Sequence, residues 1–108
     1  MADTFLYLTT KGRISGEPRL IEIWFVELEG RHYLVSEKRE ESRWVKNVMA
    51  DAKVSFSVGT RDDHGAPREA TARLVRPESE PDLCARVSSL MDKKYDWSDG
   101  LIVELSPR

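Results

Sequence analysis

Short β-like segments separated by turn residues constrain the fold of this chain more than any other feature. In "KVSFSVG" the apolar residues Val54, Phe56 and Val58 alternate with serines, so they share one face of a strand. Similar segments are "FLYLTT", the two halves of "RLIEIWFVELEGRHYLVSE" around Glu29-Gly30, "REATARLVR" and "LIVEL". The sequence therefore predicts six short strands.

Two segments have helical rather than β periodicity. The segment "EESRWVKNVMA" carries an apolar stripe made of Trp44, Val45, Val48 and Met49. The segment "PESEPDLCARVSSLMDKKY" opens with proline and acids and spaces its apolar residues as Leu83, Val87, Leu90 and Met91. Most connections are too short for parallel crossovers. The order βββ, helix, ββ, helix, β predicts one mainly β (α+β) domain over residues 1–108, with an antiparallel, barrel-like sheet and two covering helices.

Length, charge and cysteine content exclude several classes of protein. A chain of 108 residues has room for one domain, and a net charge of −2 argues against a nucleic-acid partner. The apolar run "LIEIWFV" is interrupted by Glu22 and is far shorter than the roughly 20 residues of a membrane helix, so we expect no membrane insertion. The start lacks the pattern of an export signal, and the single Cys84 fits a reducing compartment, so a cytoplasmic location is expected.

The turn "TTKGRISGEPR" is the first candidate binding site. Gly12 and Gly16 permit positive φ and close backbone approach, and successive N–H groups in such a turn can form an anion nest. Lys11, Arg13 and Arg19 add positive charge, and arginine matches phosphate or carboxylate oxygens with a planar fork. An exposed turn with solvated cations is the alternative that these residues leave open.

Residues typical of metal or nucleophilic catalysis are sparse and scattered. His32, His64 and Cys84 do not have the spacing of a metal site, and Cys84 is expected to pack in the core. Tyr33 and Tyr95 are candidate proton donors. Catalytic residues are therefore left unassigned.

Four segments in order carry a resemblance to a known family. They are "TTKGRISGEPR", "IEIWFV", "GRHYLVSEK" and "RWVKNVMADAKVSFSVG". Together they resemble the deazaflavin-dependent nitroreductase family, within the flavin-binding split β-barrel proteins related to pyridoxamine 5'-phosphate oxidase. The resemblance implies a six-stranded antiparallel split barrel of the FMN-binding type with two helices. It also implies a homodimer with coenzyme F420 near the subunit interface, and hydride transfer to a small alkene, imine, quinone or nitro-type acceptor.

The resemblance also implies which residues bind the cofactor. They are Gly12, Arg13, Ser15, Gly16, Arg19, Trp24, Ser36, Lys38, Trp44 and Asn47. The turn residues would bind the phosphate or carboxylate tail, Ser36 and Lys38 the phosphodiester region, and Trp44 and Asn47 would line the far wall. Trp24 joins this set on strand geometry rather than on the resemblance. It and Phe25 point to opposite faces of their strand, so at most one of them lines the cofactor cavity, and Trp24 is the one placed near the ring.

One departure from the family pattern bears on the cofactor. Many family members have a glycine pair after the strand-end serine, whereas this chain has "EKREE". Two further functions therefore stay open. One is an FMN-dependent oxidoreductase on the same fold, and the other is a non-catalytic protein that binds a flavin, heme or similar planar ligand.

Overall fold

Seven strands and two helices form the part of the chain that the computed structural model describes, residues 4–108. The elements in chain order are β1 Phe5–Lys11, β2 Pro18–Ile23, β3 Phe25–Leu28, β4 Arg31–Ser36, α1 Arg43–Ala50, β5 Lys53–Gly59, β6 Arg68–Val75, α2 Pro81–Tyr95 and β7 Leu101–Pro107. A single 3-10 turn, Arg39–Glu41, precedes α1. The predicted antiparallel, mainly β architecture with two helices is confirmed.

The sheet differs from the predicted six-stranded barrel in one strand. Its order is β2-β1-β5-β6-β7-β4-β3, all antiparallel, so β2 and β3 lie at its two edges. These edges come from one predicted strand, which breaks at Trp24: Ile23 pairs with Leu6 of β1, whereas Phe25 pairs with Leu34 of β4. Because one residue joins the two edge strands, the sheet curves until its ends meet at Trp24.

Both helices begin later than the sequence predicts. The residues before α1 form the 3-10 turn, and α1 begins at Arg43. Val45 and Val48 of α1 are buried, but Met49 is 57% exposed, so the predicted apolar stripe is narrower than expected. Helix α2 begins at Pro81, whose ring suits the first helical position.

Apolar side chains pack on both faces of the sheet. The inner face packs with α1, and its fully buried members include Leu6, Leu8, Leu34, Phe56, Val103 and Leu105. The outer face packs under α2 around Val87 and Met91. Cys84 belongs to this outer cluster, and burial raises the pKa of its thiol, which fits the expected packing role.

His32 is a buried titratable side chain near the start of β4. Its ring lies 4.8 Å from Phe56 and 5.8 Å from Phe25 between centroids. Its Nδ1 has no hydrogen-bond partner among residues 4–108, and Nε2 lies 3.4 Å from a carboxylate oxygen of Glu27. Burial lowers the pKa of His32 below its ordinary value, so the ring is neutral at neutral pH.

We expect His32 to make the fold less stable in mild acid. As the pH falls from about 7.5 to about 5.5, the unfolded chain binds a proton that the folded ring binds only at lower pH, so the free energy of unfolding decreases. His32→Phe should flatten this dependence, which urea unfolding midpoints at several pH values would measure. An equally steep loss in both proteins would contradict the assignment.

Candidate functional site

A cleft of about 690 Å³ opens where the two edge strands meet. We call it the aromatic cleft, and its lining consists of Phe5, Glu22, Ile23, Trp24, Val35, Ser36, Glu37, Lys38, Ser42, Trp44, Arg61 and Trp97. Three tryptophans and a phenylalanine supply flat apolar surface, and charged side chains are confined to a few positions. Such a lining suits a planar ligand with a small number of polar atoms.

Trp24 is held as a rigid platform in this cleft. It is 42% exposed, and it stacks on Tyr95 with ring centroids 4.4 Å apart and an interplanar angle of 3°. The hydroxyl of Tyr95 donates to the carbonyl of Phe25 at 2.9 Å and accepts from the N–H of the same residue at 3.1 Å. Trp97 meets Trp24 edge to face at 6.3 Å. Little conformational freedom is therefore lost when a ligand stacks on Trp24.

A second cleft, of about 790 Å³, carries the positive charge. We call it the basic cleft, and it is lined by Thr10, Gly12, Arg13, Ile14, Ser15, Pro18, Arg19, Leu20, Ile21, Arg43, Trp44 and Asn47. Within residues 4–108 this lining holds three arginines and no carboxylate. Trp44 lines both clefts, so an aromatic end and a cationic end meet at one side chain. This arrangement fits a planar group that carries an anionic tail.

Internal hydrogen bonds shape the turn of the basic cleft. Gly12 N–H donates to the carbonyl of Glu17 at 2.8 Å, and Gly16 N–H donates to the carbonyl of Gly12 at 2.8 Å. The expected anion nest of these two N–H groups is therefore not seen, because both donors are used inside the turn. The side chains of Arg13 and Arg19, both exposed, supply the charge instead. Gly16 has φ +76° and lines a separate groove behind the turn.

Asn47 fastens this turn to α1. It is buried, its Oδ1 accepts from the backbone N–H of Arg13 at 3.2 Å, and its Nδ2 donates to Thr10 Oγ1 at 3.1 Å. The amide oxygen and Nδ2 both contact the protein, and Asn47 also lines the basic cleft. Asn47 therefore positions Arg13, and its contact with a cofactor stays a prediction.

The segment "EKREE" keeps a backbone shape that glycine favours. Arg39 has φ +54°, in the left-handed region, and its carbonyl accepts from the hydroxyl of Ser36 at 2.9 Å. Its side chain pairs with Asp99 at 2.9 Å. Two acids of the segment also pair with cations, Glu40 with Arg76 at 2.8 Å and Glu41 with Lys46 at 3.6 Å. Neighbouring cations therefore compensate most of the loop's negative charge. The loop also keeps its backbone shape although it contains no glycine.

The first turn of α1 lies between the two clefts. Ser42 lines the aromatic cleft and Arg43 the basic cleft. Ser42 makes no side-chain cap, because its hydroxyl is 2.7 Å from that of Ser36. The first N–H groups of α1 thus lack a side-chain partner from the N-cap at the junction of the clefts, where a helix N-terminus favours an anion.

The structure places nine of the ten predicted binding residues in these adjoining clefts. Trp24, Ser36, Lys38 and Trp44 line the aromatic cleft, and Gly12, Arg13, Ser15, Arg19, Trp44 and Asn47 line the basic cleft. Gly16 stands apart. Their contact with a cofactor stays a prediction, because adjacency alone does not show binding.

Several cleft residues escaped the sequence analysis. Arg43 resembles any surface arginine until α1 is placed beside the turn. Arg61 lies in the "RDDHGAP" turn, far along the chain from the family motifs, and only its pairing with Glu22 brings it to the aromatic cleft. The acid inside "LIEIWF" was the one visible signal, since such a residue requires a cation, solvent or a polar cavity.

The two tyrosines considered as proton donors are both occupied elsewhere. Tyr33 lies on the outer face under α2, where its hydroxyl donates to Glu104 at 2.8 Å. Burial and this hydrogen bond raise the pKa of Tyr33 to about 12. The hydroxyl of Tyr95 is bound to the backbone of Phe25. Neither tyrosine lines the described part of the aromatic cleft.

The structural comparisons define the class of fold, which is that of proteins related to pyridoxamine 5'-phosphate oxidase. An FAD-binding protein from Mesorhizobium loti matches with TM-score 0.75 at 13% identity, over 99% of this chain and 83% of that one. The heme storage protein HutZ from Vibrio cholerae matches with TM-score 0.75 at 18% identity, over 96% and 81% of the two chains. An F420-H2-dependent reductase, FDR-A, matches with TM-score 0.61 at 22% identity, over 94% and 93%.

Sequence comparison identifies the family within this class. Residues 1–98 match the family described as F420H(2)-dependent quinone reductase, and the chain belongs to that family. No curated protein matches the sequence. Membership confirms the resemblance to deazaflavin-dependent enzymes and assigns coenzyme F420 as the cofactor. Nitro-type acceptors, expected from the resemblance, have no support in the family description, which specifies quinones.

Proposed function

We propose that the protein is a reductase that transfers hydride from reduced coenzyme F420 to a small planar acceptor of the quinone class. The observation that carries the proposal is the joining of an aromatic and an arginine-lined cleft at Trp44, in a chain of the F420H(2)-dependent quinone reductase family. The bound deazaflavin would supply the hydride chemistry. The protein would bind the cofactor and the acceptor, orient them relative to each other and exclude water from the cleft.

The residues present fit the chemical groups of this cofactor. A flat ring system suits Trp24 and Trp44, and anionic tail groups suit Arg13, Arg19 and Arg43. We place the phosphodiester group at the first turn of α1, because the Ser42 side chain does not cap that helix end and Lys38 lines the same cleft as Ser42. In this proposal Ser36 shapes the loop through its internal hydrogen bonds.

FMN is the second candidate cofactor, since its ring and phosphate would use the same two clefts. Heme has less support, although a similar structure stores it. The aromatic cleft of residues 4–108 presents no histidine, cysteine or methionine as an axial ligand. A non-catalytic flavin-binding role would be supported by tight cofactor binding without reduction of any quinone.

Binding of oxidised F420 and FMN to the purified protein, measured in parallel, tests the cofactor assignment. We expect F420 to bind with a Kd in the micromolar range or below, and FMN about tenfold more weakly, which is a difference of about 1.4 kcal/mol. In a Trp24→Phe, Trp97→Phe variant, F420 should still quench the fluorescence of Trp44. Stronger binding of FMN, or unchanged Trp44 fluorescence at saturation, would contradict the proposal.

We also propose that the protein works as a homodimer of six-stranded split barrels in the cytoplasm. If β2 and β3 are counted as one strand bent at Trp24, the sheet has the expected six strands. The exposed apolar residues Ile14 and Leu20 beside the basic cleft support a subunit contact near the cofactor. Within residues 4–108, neither helix has the length and apolar character to cross a membrane.

A further inference from the structure

Glu22 and Arg61 line the aromatic cleft outside the predicted cofactor residues, and their contacts continue to Tyr7 and His64 beyond the lining. Arg61 pairs with Glu22 through two atoms: Nε lies 3.1 Å from Oε1, and Nη2 lies 3.1 Å from Oε2. Tyr7 donates its hydroxyl to Glu22 Oε1 at 2.9 Å. The ring of His64 stacks on Tyr7 at 3.7 Å and 8°. Glu22 is thus fixed by Tyr7, and it fixes the plane of the guanidinium in turn.

Local hydrogen bonds shape the loop that carries Arg61. The N–H of Thr60 donates to the carbonyl of Asp63 at 2.7 Å, and the N–H of Asp63 donates to Thr60 Oγ1 at 3.1 Å. Gly65 donates its N–H to Asp63 Oδ1 at 3.0 Å and has φ +81°. An added Cβ at Gly65 would collide with the carbonyl of Val58. These contacts fix the shape of the loop that carries Arg61 and hold the loop against β5.

Arg61 lies away from the arginines proposed to bind the cofactor tail. Its partner Glu22 is three residues along β2 from Arg19, which corresponds to roughly 10 Å of extended strand. Glu22 and Arg61 line the aromatic cleft, as does the Trp24 platform, whereas Arg19 lines the basic cleft. The position of Arg61 suits contact with a planar ligand better than contact with a distant tail.

We propose that Arg61, positioned by Glu22 and Tyr7, binds the carbonyl oxygen of the acceptor and selects planar acceptors that have a conjugated carbonyl. This inference rests on the proposed function. The bound deazaflavin would supply a hydride, which is a hydrogen with the electron pair of its C–H bond. Addition of this hydride to the acceptor would turn the conjugated carbonyl oxygen into an oxyanion, which would take a proton from water. The proton that the deazaflavin also loses on oxidation would pass to solvent and balance the proton taken from water. The Arg61 guanidinium, whose side chain is 74% exposed at the mouth of the cleft, would stabilise this charge through a charge-assisted hydrogen bond.

Binding of 2-hydroxy-1,4-naphthoquinone tests the role of Arg61 without turnover. Its ionised hydroxyl places a negative oxygen on a planar quinone, and its binding to protein saturated with oxidised F420 is measured by tryptophan quenching. Arg61→Gln should weaken this binding tenfold or more and leave the Kd for F420 within twofold. Arg61→Lys should weaken quinone binding less than Arg61→Gln does. Glu22→Gln should weaken it about threefold, since Glu22 only positions the guanidinium.

Arg86→Gln is the matched control. It removes the same charge from an exposed ion pair with Glu29, and neither partner lines the aromatic cleft or the basic cleft. Equal quinone affinity in Arg61→Gln and Arg86→Gln would overturn the proposal. A wild type that does not bind the quinone would also overturn it, as would a loss of F420 affinity in Arg61→Gln that Arg86→Gln does not show. If the wild type binds no F420, the proposed function fails instead, and the same quinone titration without cofactor still decides the role of Arg61.

Discussion

Replacing Arg13 and Arg19 together with alanine should weaken F420 binding by about 100-fold or more. Each arginine can make charge-assisted hydrogen bonds worth roughly 1.5–3 kcal/mol, and two lost bonds of the lower value correspond to a factor above 100. Both side chains are exposed, and the backbone bond from Arg13 to Asn47 persists in the variant, so the melting temperature should change by only about 2 °C.

The design of this experiment separates charge from position. Arg31→Ala with Arg86→Ala removes the same charge from side chains that line neither cleft, and it should keep F420 affinity within about twofold. Affinity of the wild type should also fall as salt is added, more steeply than in the Arg13, Arg19 variant. A large loss of melting temperature with unchanged affinity would show instead that the turn is structural.

Replacing Arg73 with methionine should reduce the free energy of unfolding by roughly 3 kcal/mol, the low end for a broken buried ion pair, because Glu104 is buried whereas the Arg73 side chain is 47% exposed. Glu104 is 3% exposed and accepts hydrogen bonds from Arg73 Nε at 2.8 Å and from Tyr33 at 2.8 Å. Burial alone would raise the pKa of Glu104, but these hydrogen bonds outweigh it and hold the pKa below its ordinary value. The variant leaves a buried carboxylate without its cation.

Urea unfolding of the wild type and three variants would test this account. Arg73→Met should be far less stable than wild type, and Glu104→Gln added to it should restore part of the loss by removing the uncompensated charge. Arg86→Met breaks an exposed pair and should cost less than about 1 kcal/mol. Equal losses for Arg73→Met and Arg86→Met would argue that Glu104 does not depend on Arg73.

Local periodicity predicted most of the fold, because the spacing of apolar residues within a segment is enough to distinguish a strand from a helix. The break at Trp24 was not predictable in this way. The segment "LIEIWFV" is continuous in β character. It divides because its first half pairs with β1 and its second half with β4, the strands next to the two edges of the sheet. Met49 illustrates the same limit, since its exposure is decided by which side of α1 meets the sheet.

The candidate site shows a similar division between local and distant information. Arg13 and Trp44 belong to short motifs, so a family resemblance was enough to place them together. The hydrogen-bonding state of the Gly12 and Gly16 N–H groups depends on the closed shape of the turn, which composition does not specify. Arg61 joins the cleft through a pair with a residue 39 positions away, and single-sequence patterns carry no record of such pairs.

The meeting of both sheet edges at Trp24 has a consequence for self-association. An open strand edge is a template on which another chain can add a strand and begin a fibril. Here one continuous segment supplies both edges, and the curvature turns each toward the other end of the same sheet. The edge strand β2 also carries Pro18, Arg19 and Glu22, which disfavour the addition of another strand. We therefore expect the bend that opens a ligand cleft also to disfavour the addition of a strand from another chain.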